Sequence, residues 1–274
     1  MSTAITAGYV MGHDDRERRR LALQASIINP FAERLLQRSG ITSGMHVIDI
    51  GCGVGEVSML VARLVGRHGR VIGIDFDDGA LTIARERSRA QGLNNVTFLH
   101  EDVRTYRPSS RVDAICGRHI LIHTPDPSDL LRTVFSILSP GGVAVFQEFD
   151  FAAHQPAYPE APLREKVFAI FREFFCKYTH GNMGARLYHL LLEAGFSAPD
   201  GRAEFPIDGG ADSPFYEWIA ESMQSILTRV EAAGIATADE IGIDTLAERL
   251  RQEAVSLRSC FPGPVMVGCF ARKT

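Results

Sequence analysis

A chain of 274 residues, 45% hydrophobic and 23% charged, has room for one elaborated α/β domain or two small ones, and its composition is not that of a disordered protein. The formal net charge of −4 argues against a nucleic-acid binder, and no apolar run approaches the ~18 residues needed to span a bilayer. Five scattered cysteines without a CxxC pair, and an N-terminus (MSTAITAGYVMGHDD) lacking a basic flank and apolar core, lead to the expectation of a cytoplasmic protein with reduced thiols.

Residues 14–40 read as two helices. Leu21, Ile27, Ile28, Phe31, Leu35 and Leu36 recur at helical spacing, Asn29-Pro30 reads as a cap and first helical position, and Gly40 as the stop. From Met45 strands and helices alternate. MHVIDI, RVIGID, NVTFLH, RVDAICG and GGVAVFQEF are the strands. VSMLVARLV, ALTIARERSRAQ and PSDLLRTVFSIL are the helices, the last capped by Asp126 with Pro127 just inside it. Short continuous apolar strands between amphipathic helices predict a parallel sheet covered on both faces. Beyond Asp150 the rhythm breaks. The proline-rich connector FAAHQPAYPEAPL leads to the aromatic helix REKVFAIFREFFCKY, then to GARLYHLLLEAG, two helices near 214–233 and 239–258, and a final strand VMVGCFA. The expected organisation is an N-terminal helical cover (1–40), a cofactor-binding core (41–150), a helical lid and substrate region with return elements of the core (151–260), and a last core strand (261–274).

The stretch VIDIGCGVG ends in glycines at every second position. It departs from the dinucleotide fingerprint GxGxxG, because Glu56 stands where the third glycine belongs. The next strand ends in Asp75, placed to accept from ribose hydroxyls. A carboxylate at the helix start is a poor neighbour for a pyrophosphate, so Glu56 favours a ligand with ribose and adenine but no phosphate, over an NAD(P)-dependent oxidoreductase. Asp49 adds a negative group that suits a cationic ligand.

In these residues the sequence resembles the class I S-adenosylmethionine-dependent methyltransferases. VIDIGCGVGEVS, VIGIDF, HEDV, VDAICGRHILIH and LSPGGVAVFQE carry the likeness across about residues 40–150. It most resembles the branch that methylates small molecules, including quinone precursors and secondary metabolites, and YVMGHDDRERRRLALQ resembles the helix that covers the cofactor there. The resemblance implies a Rossmann-like doubly wound sheet, mostly parallel with an antiparallel last strand, plus a helical lid. It implies S-adenosylmethionine as cofactor and methyl transfer to a small aromatic or lipophilic metabolite, at oxygen or carbon rather than nitrogen. An alternative on the same fold is a cyclisation, or binding only.

Residue by residue, the resemblance places the backbones of Gly51, Cys52 and Gly53 against the amino-acid part of the cofactor, with Asp49 beside them. It places Asp75 on the ribose, Phe76 flanking the adenine, Asp102 on the adenine amino group and the Val103 amide facing the ring. Gly117 and Arg118 fall near the methionine moiety, and Tyr9 and Gln24 supply closing contacts. The partner is a small molecule. A nucleic acid is disfavoured because GRHI stands where DNA methyltransferases carry [DN]PP[YF], no membrane is expected, and a homodimer stays open.

Candidate bases lie past the ends of the fourth and fifth strands, where open α/β sheets bind ligands. These are His119 and His123, Glu148 and Asp150 on one side of the fifth strand, His154 in the connector, and Tyr178 and His180. Glu148 and His119 are the leading pair. No ligand spacing such as HExxH points to a metal. Of the run Phe168, Phe171, Phe174, Phe175 and Tyr178, two or three fit core packing. The rest, with Tyr216, Trp218 and Met223, are expected to line an apolar substrate pocket.

Overall fold

A computed structural model describes residues 15–274, the side chains of 15–19 and 22 excepted. Tyr9 lies outside the described residues. The elements in chain order are α1 (Asp15–Arg38), β1 (His46–Ile50), α2 (Glu56–Val65), β2 (Arg70–Asp75), α3 (Asp78–Ala90), β3 (Val96–His100), β4 (Ala114–Arg118), α4 (Pro127–Ile137) and β5 (Val143–Asp150). There follow α5 (Pro162–Tyr178), α6 (Met183–Glu193), β6 (Ser197–Glu204), β7 (Ile207–Asp208), α7 (Phe215–Ala232), α8 (Ala238–Ile241), α9 (Leu246–Leu257), β8 (Phe261–Pro262) and β9 (Val265–Arg272). Among the described residues no helix is long and apolar enough to cross a membrane.

The chain divides into two compact units. The sheet unit comprises residues 29–148, 183–203 and 267–274. Its strands run in the order β3-β2-β1-β4-β5-β9-β6. Parallel pairing joins the first five, as in Val47↔Val71 and Ile50↔Gly117. At the last strand the direction reverses. Gly141 N donates to Lys273 O at 2.7 Å and Lys273 N to Gly142 O at 2.9 Å, so the end of β9 meets the beginning of β5. The mostly parallel sheet with an antiparallel last strand is therefore present. One face buries Leu35, Leu36, Val61, Val65 and Val71 beneath α1 and α2, and on the same face Leu81 and Ala84 of α3 pack against Phe98. Asp126 caps α4 by accepting from Asp129 N at 2.8 Å.

Two expectations are corrected here. The N-terminal segment is a single 24-residue helix with Pro30 inside it, not two helices. Asn29 does not cap. Its Oδ1 accepts from Arg118 Nη1 at 2.8 Å and its Nδ2 donates to Glu56 at 3.3 Å, and such tertiary bonds hold the helix across the amide that proline lacks. The strand β6, SAPDGRAE, has no counterpart in the sequence reading. Only Pro199 in it is fully buried, so it carries no apolar alternation to betray it.

The helical unit comprises α1 through Ile28, with residues 149–182 and 204–266. Here the aromatics form the core. Phe171, Phe174 and Phe175 are buried, and the Phe175 ring stacks on Phe151 with centroids 4.2 Å apart. Tyr216, Trp218 and Met223, expected at a pocket, are also closed into this core, at 0%, 4% and 0% exposure. Gln24 is buried there too, its amide oxygen accepting from Arg20 at 2.7 Å and from the Trp218 indole at 3.4 Å.

Candidate functional site: a glycine cradle at the end of β1

Between β1 and α2, Gly51, Gly53 and Gly55 all take positive φ (63°, 51° and 83°). Each does a different job. A Cβ on Gly55 would stand 3.0 Å from Phe98 and 3.1 Å from Ala84, so this glycine lets α2 and α3 pack close although it sits one residue early for the dinucleotide pattern. A Cβ on Gly51 would strike Ile120 at 2.6 Å. A Cβ on Gly53 would meet nothing within 4 Å, so here the bare backbone faces open space.

The loop amides are turned inward. Gly51 N and Cys52 N donate to Ile74 O at 2.9 and 3.1 Å, Gly53 N to Asp75 Oδ2 at 2.7 Å, and Gly55 N to Cys52 O at 2.9 Å. The cradle thus offers carbonyl oxygens and bare Cα atoms but not the ring of N–H donors that a pyrophosphate needs. An ammonium group suits it better. Glu56 is paired with Arg87, which neutralises it, so the inward amides rather than its charge disfavour a phosphate.

Asp75 ends β2 with Oδ2 on Gly53 N and Oδ1 accepting from Asp77 N at 2.9 Å. It is not the cap of α3. Asp77 is, accepting from Ala80 N at 3.1 Å. The neighbouring Phe76 ring is 63% exposed, an apolar face left open beside a carboxylate. Asp102 holds Arg104 in a two-pronged ion pair (2.7–3.0 Å), and this pairing and hydrogen bonding take its pKa below the ordinary carboxylate value. Arg104 escaped the sequence reading, although its spacing of two from Asp102 was visible. Val103 is buried beside them.

Other candidates lie deeper than their sequence positions implied. Asp49 is 1% exposed, bonded to Ser58 Oγ at 2.6 Å and to the Cys116 thiol, and burial pushes its pKa up to about 6. It braces the underside of the cradle and offers a ligand no face. The Cys52 thiol, buried near Asp49 and Asp75, is held well above its ordinary pKa and is unreactive. Gly117 allows packing, since a Cβ there would lie 2.9 Å from Ile120 and 3.0 Å from Phe146. Arg118 anchors Asn29, which links it to Glu56 and Arg87.

The leading catalytic candidate lies in the interior. Glu148 is fully buried. Its Oε1 accepts from Ile120 N (3.0 Å) and Leu121 N (2.8 Å) and its Oε2 from Ile122 N (3.3 Å), pinning the loop after β4. Burial pushes its pKa up to about 8 against the pull of those amides. So enclosed, the group holds the loop after β4 in place. His119, half-buried at the start of that loop, has φ +55°, a conformation that costs energy outside glycine, and its N–H donates to Gln147 O at 2.9 Å.

A doubly wound sheet with a glycine cradle at the end of β1, an acid at the end of β2 and an open aromatic ring beside it defines a nucleoside-binding α/β protein. The model of the methyltransferase domain matches residues 41–195, and the chain belongs to that family. Its cofactor is S-adenosylmethionine, and the cradle, Asp75 and the open Phe76 ring fit a phosphate-free nucleoside carrying an amino-acid tail. The demethylmenaquinone methyltransferase of Lactococcus lactis is 27% identical over 50% of this chain and 52% of its own length. The ubiquinone biosynthesis O-methyltransferase of Coxiella burnetii is 27% identical over 44% of this chain and 50% of its own. The chain thus spans about half the length of these relatives. In fold it is similar to a methyltransferase structure from Bacillus halodurans, at 17% identity and a TM-score of 0.59 over 88% of this chain and 98% of that one.

Proposed function

We propose that this protein transfers the methyl group of S-adenosylmethionine to an oxygen or carbon of a small aromatic or lipophilic metabolite. The observation that carries the cofactor assignment is the cradle itself: inward amides, an open Gly53 and an exposed Phe76 beside Asp75. When bound, the cofactor supplies an activated sulfonium methyl. The chain's own work is then placement. Asp75 accepts from the ribose with its remaining lone pairs while holding the cradle closed. Phe76 lies against the adenine, and Asp102 accepts from the adenine amino group with the Val103 amide facing the ring. Arg118 lies toward the carboxylate end. His119, on the loop that Glu148 pins, stands at the reacting end as a positioning group. Alignment of this kind supplies several powers of ten in rate.

The acceptor class is supported by the two quinone-pathway relatives, both methyltransferases of small molecules by name. The helical unit, with its aromatic core, is assigned to acceptor binding. Calorimetry with S-adenosylmethionine, its demethylated product and NAD tests the cofactor, with binding expected for the first two in the micromolar range. Binding of NAD with no response to either sulfur nucleoside overturns the reading. Labelled cofactor incubated with phenolic, enolic and amine acceptors then tests the acceptor atom, and label found only on amines would refute the oxygen or carbon assignment.

A further inference from the structure

The helical unit contains a cavity of about 220 Å³. Part of its wall is aromatic, from Phe151 and Phe168, and part is an ordered polar chain, Arg164, Glu165 and His154. Arg164 is fully buried. Its Nη1 donates to Glu165 Oε1 at 2.6 Å, its Nη2 donates to Gln155 O at 2.9 Å and to Pro262 O, and its guanidinium lies 4.1 Å over the Phe168 ring. Glu165 Oε1 also accepts from Ala157 N at 3.2 Å, and its Oε2 lies 2.7 Å from His154 Nε2. Each member fixes the next. Arg164 holds the carboxylate, and the carboxylate holds the imidazole with Nε2 as donor. In the neutral ring that leaves Nδ1 as the acceptor, on a side chain that is 34% exposed and lines the cavity.

An imidazole oriented by a carboxylate is the arrangement that removes a proton from a hydroxyl. The charges suit this. Asp150 and Glu165 are balanced by Arg164 and Arg172 around the cavity, so an oxyanion and an imidazolium formed there meet no large excess of either sign. Size limits the ligand to about one ring, since a cavity of about 150 Å³ already admits benzene. A clamp tying the connector to α5 would need the ion pairs, but neither the void nor the reachable ring nitrogen.

We propose that this cavity binds a single-ring phenol or enol, whose hydroxyl proton passes to His154 Nδ1. The O–H bond breaks, the N–H bond forms, and the resulting oxyanion faces an imidazolium held by Glu165. The proposal names the acceptor class of the methyltransferase reading and rests on it only in calling the ligand a methyl acceptor.

The test titrates 4-nitrophenol, whose ionised form absorbs visible light, into the full chain without cofactor. Bound probe is expected to ionise at a lower pH than free probe. His154→Gln should abolish that shift and weaken binding roughly tenfold or more, and Glu165→Gln should reduce both. The shift in wild-type protein is itself a readout that a structural clamp would not produce, and it needs no variant to fold. Failure of the wild-type protein to bind the probe, an unshifted ionisation, or a shift retained in His154→Gln overturns the proposal. Calorimetry with S-adenosylmethionine on the same samples reads the cofactor assignment separately, so either can fail while the other stands.

Discussion

Glu148 permits a sharp test, because two substitutions separate its chemistry from its shape. With its pKa pushed up to about 8, the buried carboxyl is mostly neutral at pH 7, with Oε1 accepting from two amides and Oε2 close to a third. Glutamine keeps the two stronger bonds, its oxygen taking the place of Oε1, and gives up only the longer one from Ile122 N, which its NH₂ cannot accept. Glu148→Gln is therefore expected to cost less than about 1 kcal/mol at pH 7. Glu148→Ala leaves three buried amides without an acceptor and opens a void, for a loss of ~4 kcal/mol and a fall in Tm of ~10 °C in a chain of this size. The pH dependence has a definite sign. The folded pKa of about 8 lies above the ordinary value of 4.5, so the stability contributed by this proton is fully present below pH 4.5 and is lost as pH rises through 8. Wild-type protein should lose stability between pH 7 and 9, and Glu148→Gln should lack that part of the slope. Urea unfolding followed by circular dichroism at both pH values measures it. Turnover of Glu148→Gln should stay within about threefold of wild type, as for a positioning group. Equal destabilisation by glutamine and alanine would mean that the group is ionised and held by its amides. A ~10²-fold loss of turnover in a stable Glu148→Gln would mean that it is the base.

Asp75→Ala removes both a ribose acceptor and the partner of Gly53 N, and should weaken S-adenosylmethionine binding by roughly 1.5–3 kcal/mol in calorimetry; unchanged affinity would limit Asp75 to bracing the loop. Arg104→Ala frees the Asp102 carboxylate and should strengthen cofactor binding by up to about fivefold, the scale of an exposed ion pair; weaker binding would remove Asp102 from the adenine site. Gly55→Ala, with its Cβ forced against Phe98 and Ala84, should lower stability by about 1–3 kcal/mol, whereas Gly53→Ala should fold but bind cofactor less well; the reverse pattern would exchange their roles.

The sheet was legible because its strands are apolar throughout and its helices carry plain caps. β2 begins and ends where RVIGID does, and Asp126 caps α4 as its position before Pro127 predicts. Elements held by tertiary contacts were not legible. Pro30 reads as a helix start until Asn29 is seen tied to Arg118 and Glu56. β6 lies on the open edge of the sheet with a polar sequence. At the site, sequence spacing places residues at strand ends but does not say which way their groups turn. Glu148 falls two residues from the end of β5, where bases sit, yet faces the amides of a neighbouring loop. The neutralisation of Glu56 by Arg87, 31 residues on, is a long-range pairing with no local signal.

The place of β9 has a consequence for how the chain comes off the ribosome. It comes after every other strand of the sheet in chain order, yet it lies between β5 and β6, so until residues 265–272 emerge β6 has no neighbour and β5 has one bare edge. Strands β1 to β5 can pair as they appear, through contacts of modest sequence separation, but completing the sheet means closing a loop of more than a hundred residues back to β5, which is the slow kind of contact. For that interval an apolar strand edge stays unpaired, and nascent or truncated chains should aggregate through it while finished chains do not. Residues 265–272 are thus an internal seam of the sheet, and their loss would divide the fold rather than trim it.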